Sequence, residues 1–198
     1  MSGPITERRR ELAVVDSTGN RVAPGEILFT AEQIRHRIAE LANEIVSSYE
    51  GQSELQLMIV AIMTGATMFL ADLVRAIPLP IRIGLMIVTN YPGAVTQAQG
   101  PRLIYDLQAD ITGKDVLIVD DILDTGRTLE KVIDVLRSRR PRSLKTCVLL
   151  EKHISSPRAV QADFVGFWIP DKFVVGYGLD YDNLFRNFPS IAVLDTQG

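Results

Sequence analysis

The run Val116-Leu117-Ile118-Val119-Asp120-Asp121-Ile122-Leu123-Asp124-Thr125-Gly126-Arg127-Thr128-Leu129 limits what this chain can fold into more than any other stretch. Four aliphatic residues in succession fit a strand buried on both faces of a parallel sheet, because a sheet with one wet face alternates polar and apolar positions. After the carboxylates, Leu129, Val132, Ile133 and Leu136 recur at the spacing of a helix packed along one side. Strand, polar turn and helix in that order predict an α/β domain.

In open parallel sheets ligands bind outside the carboxyl ends of the strands, which is where this turn falls. Thr125, Gly126 and Thr128 bring two hydroxyls and several backbone N–H groups to a helix amino terminus, whose dipole favours an anion. That combination suits a phosphate. Neither G-x-x-x-x-G-K-[ST] nor G-x-G-x-x-G occurs, so a whole nucleoside triphosphate or dinucleotide is not implied. Three carboxylates, Asp120, Asp121 and Asp124, would weaken a plain phosphate site and must meet something else. The adjacent pair suits ribose hydroxyls and a Mg2+ ion, and a carboxylate beside the cradle can carry a proton. A simple helix cap would need one such residue, whereas two threonines and three aspartates stand here.

Val119 to Leu129 resembles the signature of the type I phosphoribosyltransferases, which bind 5-phosphoribosyl-1-pyrophosphate. A second stretch, Asp163-Phe164-Val165-Gly166-Phe167-Trp168-Ile169-Pro170-Asp171-Lys172-Phe173-Val174-Val175-Gly176-Tyr177-Gly178-Leu179-Asp180-Tyr181, resembles the hypoxanthine-guanine members of that family. The likeness runs from Ile27 to the carboxyl terminus, leaving residues 1–26 as an amino-terminal extension to a single domain spanning 1–198.

The resemblance implies a three-layer α/β fold, a parallel sheet flanked by helices, with a small hood lobe built from the amino- and carboxyl-terminal segments. It implies transfer of a 5-phosphoribosyl group from its pyrophosphate donor to N9 of hypoxanthine or guanine, a purine-salvage reaction that yields IMP or GMP and pyrophosphate. By position in the motifs, Asp124 would manage the purine N7 proton. Asp120 and Asp121 would hold the ribose hydroxyls and Mg2+, while Thr125, Gly126, Arg127 and Thr128 would fix the 5-phosphate. Lys152 would donate to the exocyclic oxygen of a 6-oxopurine, Phe173 would stack on the base, and the Val174 backbone would read the base edge. Gly65 and Thr64 lie in the loop that would hold pyrophosphate, with Thr64 standing where the family carries a lysine. Arg186 would also meet pyrophosphate, Asp180 would hold a second Mg2+, and Tyr91 occupies the place of a lid tyrosine. The resemblance further implies a homodimer or homotetramer.

The remaining stretches agree with such a domain. Thr30-Ala31-Glu32-Gln33 is a capping box ahead of a helix with Ile34, Ile38, Leu41, Ala42 and Ile45 on one face. Leu57 to Met63 and Arg82 to Val88 read as strands, and Leu103 to Leu107 and Leu144 to Leu150 as two more. The polar stretch Thr89 to Pro101 reads as a lid, which would exclude water from a carbocation-like sugar. One cysteine, Cys147, allows no intrachain disulfide and sits in an apolar run, as suits the cytoplasm. Neither a signal peptide nor 18 consecutive apolar residues is present, so a membrane association is not expected.

With 24 acidic against 21 basic residues, no global field draws the chain to nucleic acid. A regulatory protein on the same fold, controlling RNA or DNA, would show a basic face or an added binding segment. A transferase for xanthine, uracil or adenine would share the donor motif; for uracil or adenine, Lys152 together with Phe173 would be unexplained.

Overall fold

The computed structural model describes residues 12–51, 55–89 and 100–197. Tyr91 and the lid expected around it lie outside the described residues. The main sheet has six strands in the order β5, β4, β3, β6, β7, β8: β3 (Leu57–Met63), β4 (Arg82–Thr89), β5 (Arg102–Tyr105), β6 (Asp115–Leu123), β7 (Ser143–His153) and β8 (Phe164–Pro170). All neighbours are parallel except β5, which runs antiparallel to β4 at the edge. The expected parallel sheet therefore carries one antiparallel edge strand.

Among the described residues three helices cover the sheet: α1 (Ala31–Ser47) and α2 (Thr67–Ala76) on one face, α3 (Arg127–Arg137) on the other. Strand alternation explains why the central runs are apolar throughout. Ile59, Ala61, Leu117 and Val119 pack toward α1 and α2, whereas Met58, Val60, Val116 and Ile118 pack toward α3. Each fully buried aliphatic side chain contributes roughly 1.5–3 kcal/mol of transfer free energy, so the two cores hold the three layers together.

Local signals set the helix boundaries. At α1 the Gln33 N–H donates to the Thr30 hydroxyl (3.3 Å) and the Thr30 N–H to the Gln33 side-chain carbonyl (2.9 Å), completing the capping box. All five residues of its apolar stripe are buried, as are the four of α3. Neither α2 nor α3 has a side-chain cap at its amino end.

The hood is a four-stranded antiparallel sheet in the order β1 (Val14–Val15), β2 (Arg21–Phe29), β10 (Ile191–Gln197), β9 (Val174–Val175). It joins both ends of the sequence, with Val22 opposite Thr196 and Ile27 opposite Ala192. The boundary drawn at residue 26 thus falls inside β2: residues 21–26 belong to the hood sheet and residues 14–15 to its edge. Sequence periodicity gave no signal there because Pro24 and Gly25 interrupt the strand pattern.

Candidate active site

The carboxyl ends of β3 and β6 open side by side, since Ala61 pairs with Val119. The turns that follow them face a cleft of about 390 Å3 lined by residues 62–65 and 120–129 together with Asp180 and Arg186. Asp120 and Asp121 lie within the strand rather than in the loop: β6 runs on to Leu123, and only Asp124 to Gly126 separate it from α3. Gly126 has φ of 82° at the start of α3, a left-handed conformation that glycine adopts without a Cβ penalty. With no side chain capping α3, the amino terminus presents its N–H groups and dipole to the cleft.

Asp120 is buried beside Asp121, whose N–H donates to its Oδ1 at 3.1 Å. Burial, reinforced by the neighbouring carboxylate, pushes Asp120 well above the usual carboxylate range. Burial also raises Asp121, against the hydrogen bonds it accepts and the more distant Arg186 cation. A buried and a half-buried carboxylate in contact do not both ionise comfortably, so the pair calls for a cation or for hydroxyl donors. Magnesium chemistry fits that demand, as it needs only one or two protein carboxylates beside water and phosphate oxygens. Among the described residues no group of three or more acidic, histidine or cysteine side chains is gathered around one point.

Gly65 matters for a reason the sequence did not reveal. A Cβ there would lie 1.7 Å from Asp121 Oδ2, so the carboxylate rests directly on the glycine backbone. The hood presses on the same loop: a Cβ on Gly178, whose φ is 100°, would meet the Gly65 carbonyl at 2.2 Å. Thr64 is exposed, and its carbonyl accepts from the Thr67 N–H (3.1 Å) and hydroxyl (2.5 Å) in the first turn of α2.

Asp180 and Arg186 pair with each other at 2.6 Å. Asp180 Oδ2 also accepts from the Asn183 N–H (2.8 Å), and Arg186 donates to the Gly178 carbonyl (2.7 Å). Lys152, at the end of β7, bridges Asp124 (3.2 Å) and Asp171 (3.1 Å) with only 12% of its side chain exposed. Burial alone would lower its ammonium, but the two carboxylates outweigh it and hold the group protonated above its ordinary value. Lys152 thus touches the cleft through Asp124. Phe173 and Val174 belong to the hood, outside the cleft wall: Val174 is buried in β9, while the Phe173 ring is 53% exposed.

Arg158 is a further residue of the site that carries no motif in sequence. Its guanidinium donates to the Asp124 carbonyl (2.7 Å), to Glu151 (2.5 Å) and to the Lys152 carbonyl, clamping the turn that carries Asp124 onto the end of β7. In sequence it follows Ser155-Ser156-Pro157 and reads as a loop arginine, so only the fold exposes its partners. His153 is exposed and Cys147 is buried in β7, its thiol pushed up by burial.

Residues 25–182 match the phosphoribosyl transferase domain family. The hypoxanthine-guanine phosphoribosyltransferase of Mycobacterium avium is 42% identical over 189 residues, covering 92% of this chain and 93% of that protein. The hypoxanthine phosphoribosyltransferase of Haemophilus influenzae is 44% identical, covering 84% and 93%. Among solved structures, Trypanosoma cruzi hypoxanthine phosphoribosyltransferase in complex with the product IMP aligns with a TM-score of 0.79 at 40% identity, covering 87% of this chain and 95% of that one.

Proposed function

The chain belongs to the phosphoribosyl transferase domain family, in its hypoxanthine-guanine branch, and from that membership we propose the following reading of its chemistry. It is a purine-salvage enzyme, a pentosyl transferase that moves 5-phosphoribosyl from 5-phosphoribosyl-1-pyrophosphate to N9 of hypoxanthine or guanine, giving IMP or GMP and pyrophosphate. The observation that carries this reading is one cleft in which an uncapped helix amino terminus, the adjacent carboxylates of Asp120 and Asp121 and an Asp124–Lys152 ion pair meet.

The Thr125 to Thr128 turn holds the 5-phosphate through backbone N–H groups and hydroxyls, with the α3 dipole behind it. Asp120 and Asp121 take the ribose hydroxyls and Mg2+; when bound, the ion would neutralise the pair and the phosphate oxygens around it. Asp180 would hold a second Mg2+ against pyrophosphate, and Arg186, Gly65 and the exposed Thr64 face pyrophosphate. Asp124, half exposed in the cleft, takes the purine N7 proton or returns it in the reverse direction. Lys152, held protonated, donates to the 6-oxo group, where adenine offers no acceptor. Phe173 stacks on the base and the Val174 backbone reads its edge. Positioning and charge stabilisation of the leaving pyrophosphate supply the rate.

The enzyme acts as a single catalytic domain in the cytoplasm; among the described residues no helix is long and apolar enough to cross a membrane. It assembles as a homodimer or homotetramer. Supporting this, Ile83, Leu85 and Ile87 alternate along β4 with Tyr105 opposite Ile87, and all four are exposed.

The test is product formation with donor, Mg2+ and each of hypoxanthine, guanine, xanthine, adenine and uracil, read by chromatography. Nucleotide from hypoxanthine or guanine is the expected outcome. Transfer to adenine or uracil with none to hypoxanthine and guanine would overturn the reading.

A further inference from the structure

Asp16 is a buried carboxylate that neither the cleft nor the family motifs use, and it lies ahead of the matched span. Its Oδ1 accepts from the Thr18 N–H (2.9 Å), the Thr18 hydroxyl (2.7 Å) and the Asn20 N–H (2.9 Å), which closes the turn at residues 16–20. Closing that turn needs only Oδ1. Oδ2 points away from it and accepts from the Tyr181 hydroxyl at 2.8 Å, 165 residues distant in sequence. A second link runs beside it, from the Ser17 N–H to Asp182 at 3.3 Å.

Tyr181 in turn meets the Phe173 ring edge to face, with centroids 5.6 Å apart and an interplanar angle of 86°. The Phe173 backbone is fixed from the other side, where its carbonyl accepts from the Leu194 N–H at 2.9 Å. Its ring is half exposed, and such a ring samples several rotamers unless a neighbour restrains it. Any stacking partner would then have to freeze that motion at a cost in affinity.

We propose that the turn at residues 16–20 is part of the purine site: Asp16, acting through Tyr181, is a positioning residue that holds the Phe173 ring ready to stack on the base. The proposal rests on the reading of Phe173 as the stacking ring. It gives the amino-terminal segment a role in recognising the base rather than the sugar donor. The Lys172–Glu26 contact at 3.6 Å adds a further tie between the same two segments.

The experiment compares KM for hypoxanthine, KM for 5-phosphoribosyl-1-pyrophosphate, kcat and Tm in the full-length wild type, Tyr181→Phe, Asp16→Asn, the double variant and Phe173→Leu. Tyr181→Phe deletes one hydroxyl and keeps the ring, so it tests the link even if Asp16→Asn fails to fold. Expected is a rise in purine KM of roughly three- to tenfold, a fraction of what a lost hydrogen bond to a charged acceptor can cost. Donor KM and kcat should stay within about twofold. The double variant should be no worse than the worse single variant, because both break one connection. Equal rises in both KM values, an unchanged purine KM, or additive losses would overturn the proposal. If Phe173→Leu itself left the purine KM unchanged, the stacking assignment would fail instead, and the proposal with it.

Discussion

Replacing Gly65 by alanine isolates one contact, because the position needs no unusual backbone and the new Cβ meets a single side chain. Its three nearest atoms, at 1.7, 2.5 and 3.2 Å, all belong to the Asp121 carboxylate. Real Cβ atoms stay beyond 3.0 Å, so the carboxylate has to withdraw by more than about 1 Å or the loop has to lift away. Overpacking of this kind costs about 1–3 kcal/mol, which in a domain of this size lowers Tm by roughly 2–10 °C. Moving a binding group by about 1 Å costs on the order of 100-fold in rate, or about 2.7 kcal/mol. Steady-state formation of IMP and a thermal melt measure the two effects separately. The same substitution in an Asp121→Ala background should cost almost no stability, since the atoms it collided with are gone and the next lie no nearer than 3.2 Å. A double-mutant cycle should therefore return a coupling about as large as the overpacking penalty. Wild-type turnover and Tm in the Gly65→Ala protein, or an equal Tm loss in both backgrounds, would refute the reasoning.

Asp124→Asn should leave donor affinity nearly intact while lowering kcat by roughly 100- to 10,000-fold, the range of a lost general acid or base; undiminished turnover would remove Asp124 from proton transfer. Lys152→Ala should cut kcat/KM for hypoxanthine and guanine by roughly 10- to 100-fold, with donor KM little changed, because a charged hydrogen bond is lost only to the base. Removing divalent metal with a chelator should abolish activity, and added Mg2+ should restore it. The hydrogen bonds from the Thr18 hydroxyl and then Tyr181 and the turn N–H groups outweigh burial and hold Asp16 at about 2, below its ordinary 3.8. A depressed carboxylate contributes its stability above its unfolded pKa and loses it as pH falls through the folded one. Acid melts between pH 4 and about 2 should therefore show a shallower fall for Asp16→Asn than for wild type; identical slopes would contradict the assignment.

Much of the scaffold follows from local pattern. Unbroken aliphatic runs at Leu57 to Met63 and Val116 to Val119 demanded burial on two faces, and the stripes of α1 and α3 fixed which helix side packs. The turn chemistry of Asp124 to Thr128 pointed to a phosphate because hydroxyls, glycine and a helix start are written in adjacent residues. Contacts between remote segments were not legible that way. That Asp121 rests on Gly65, that Gly178 presses on the same loop, that Arg158 clamps Asp124, and that Asp16 reaches Tyr181 all depend on chain paths brought together by the sheet order and the hood. Periodicity records which side of an element is apolar. It does not record which element arrives opposite, and steric fit and long-range hydrogen bonds exist only once the layers have closed.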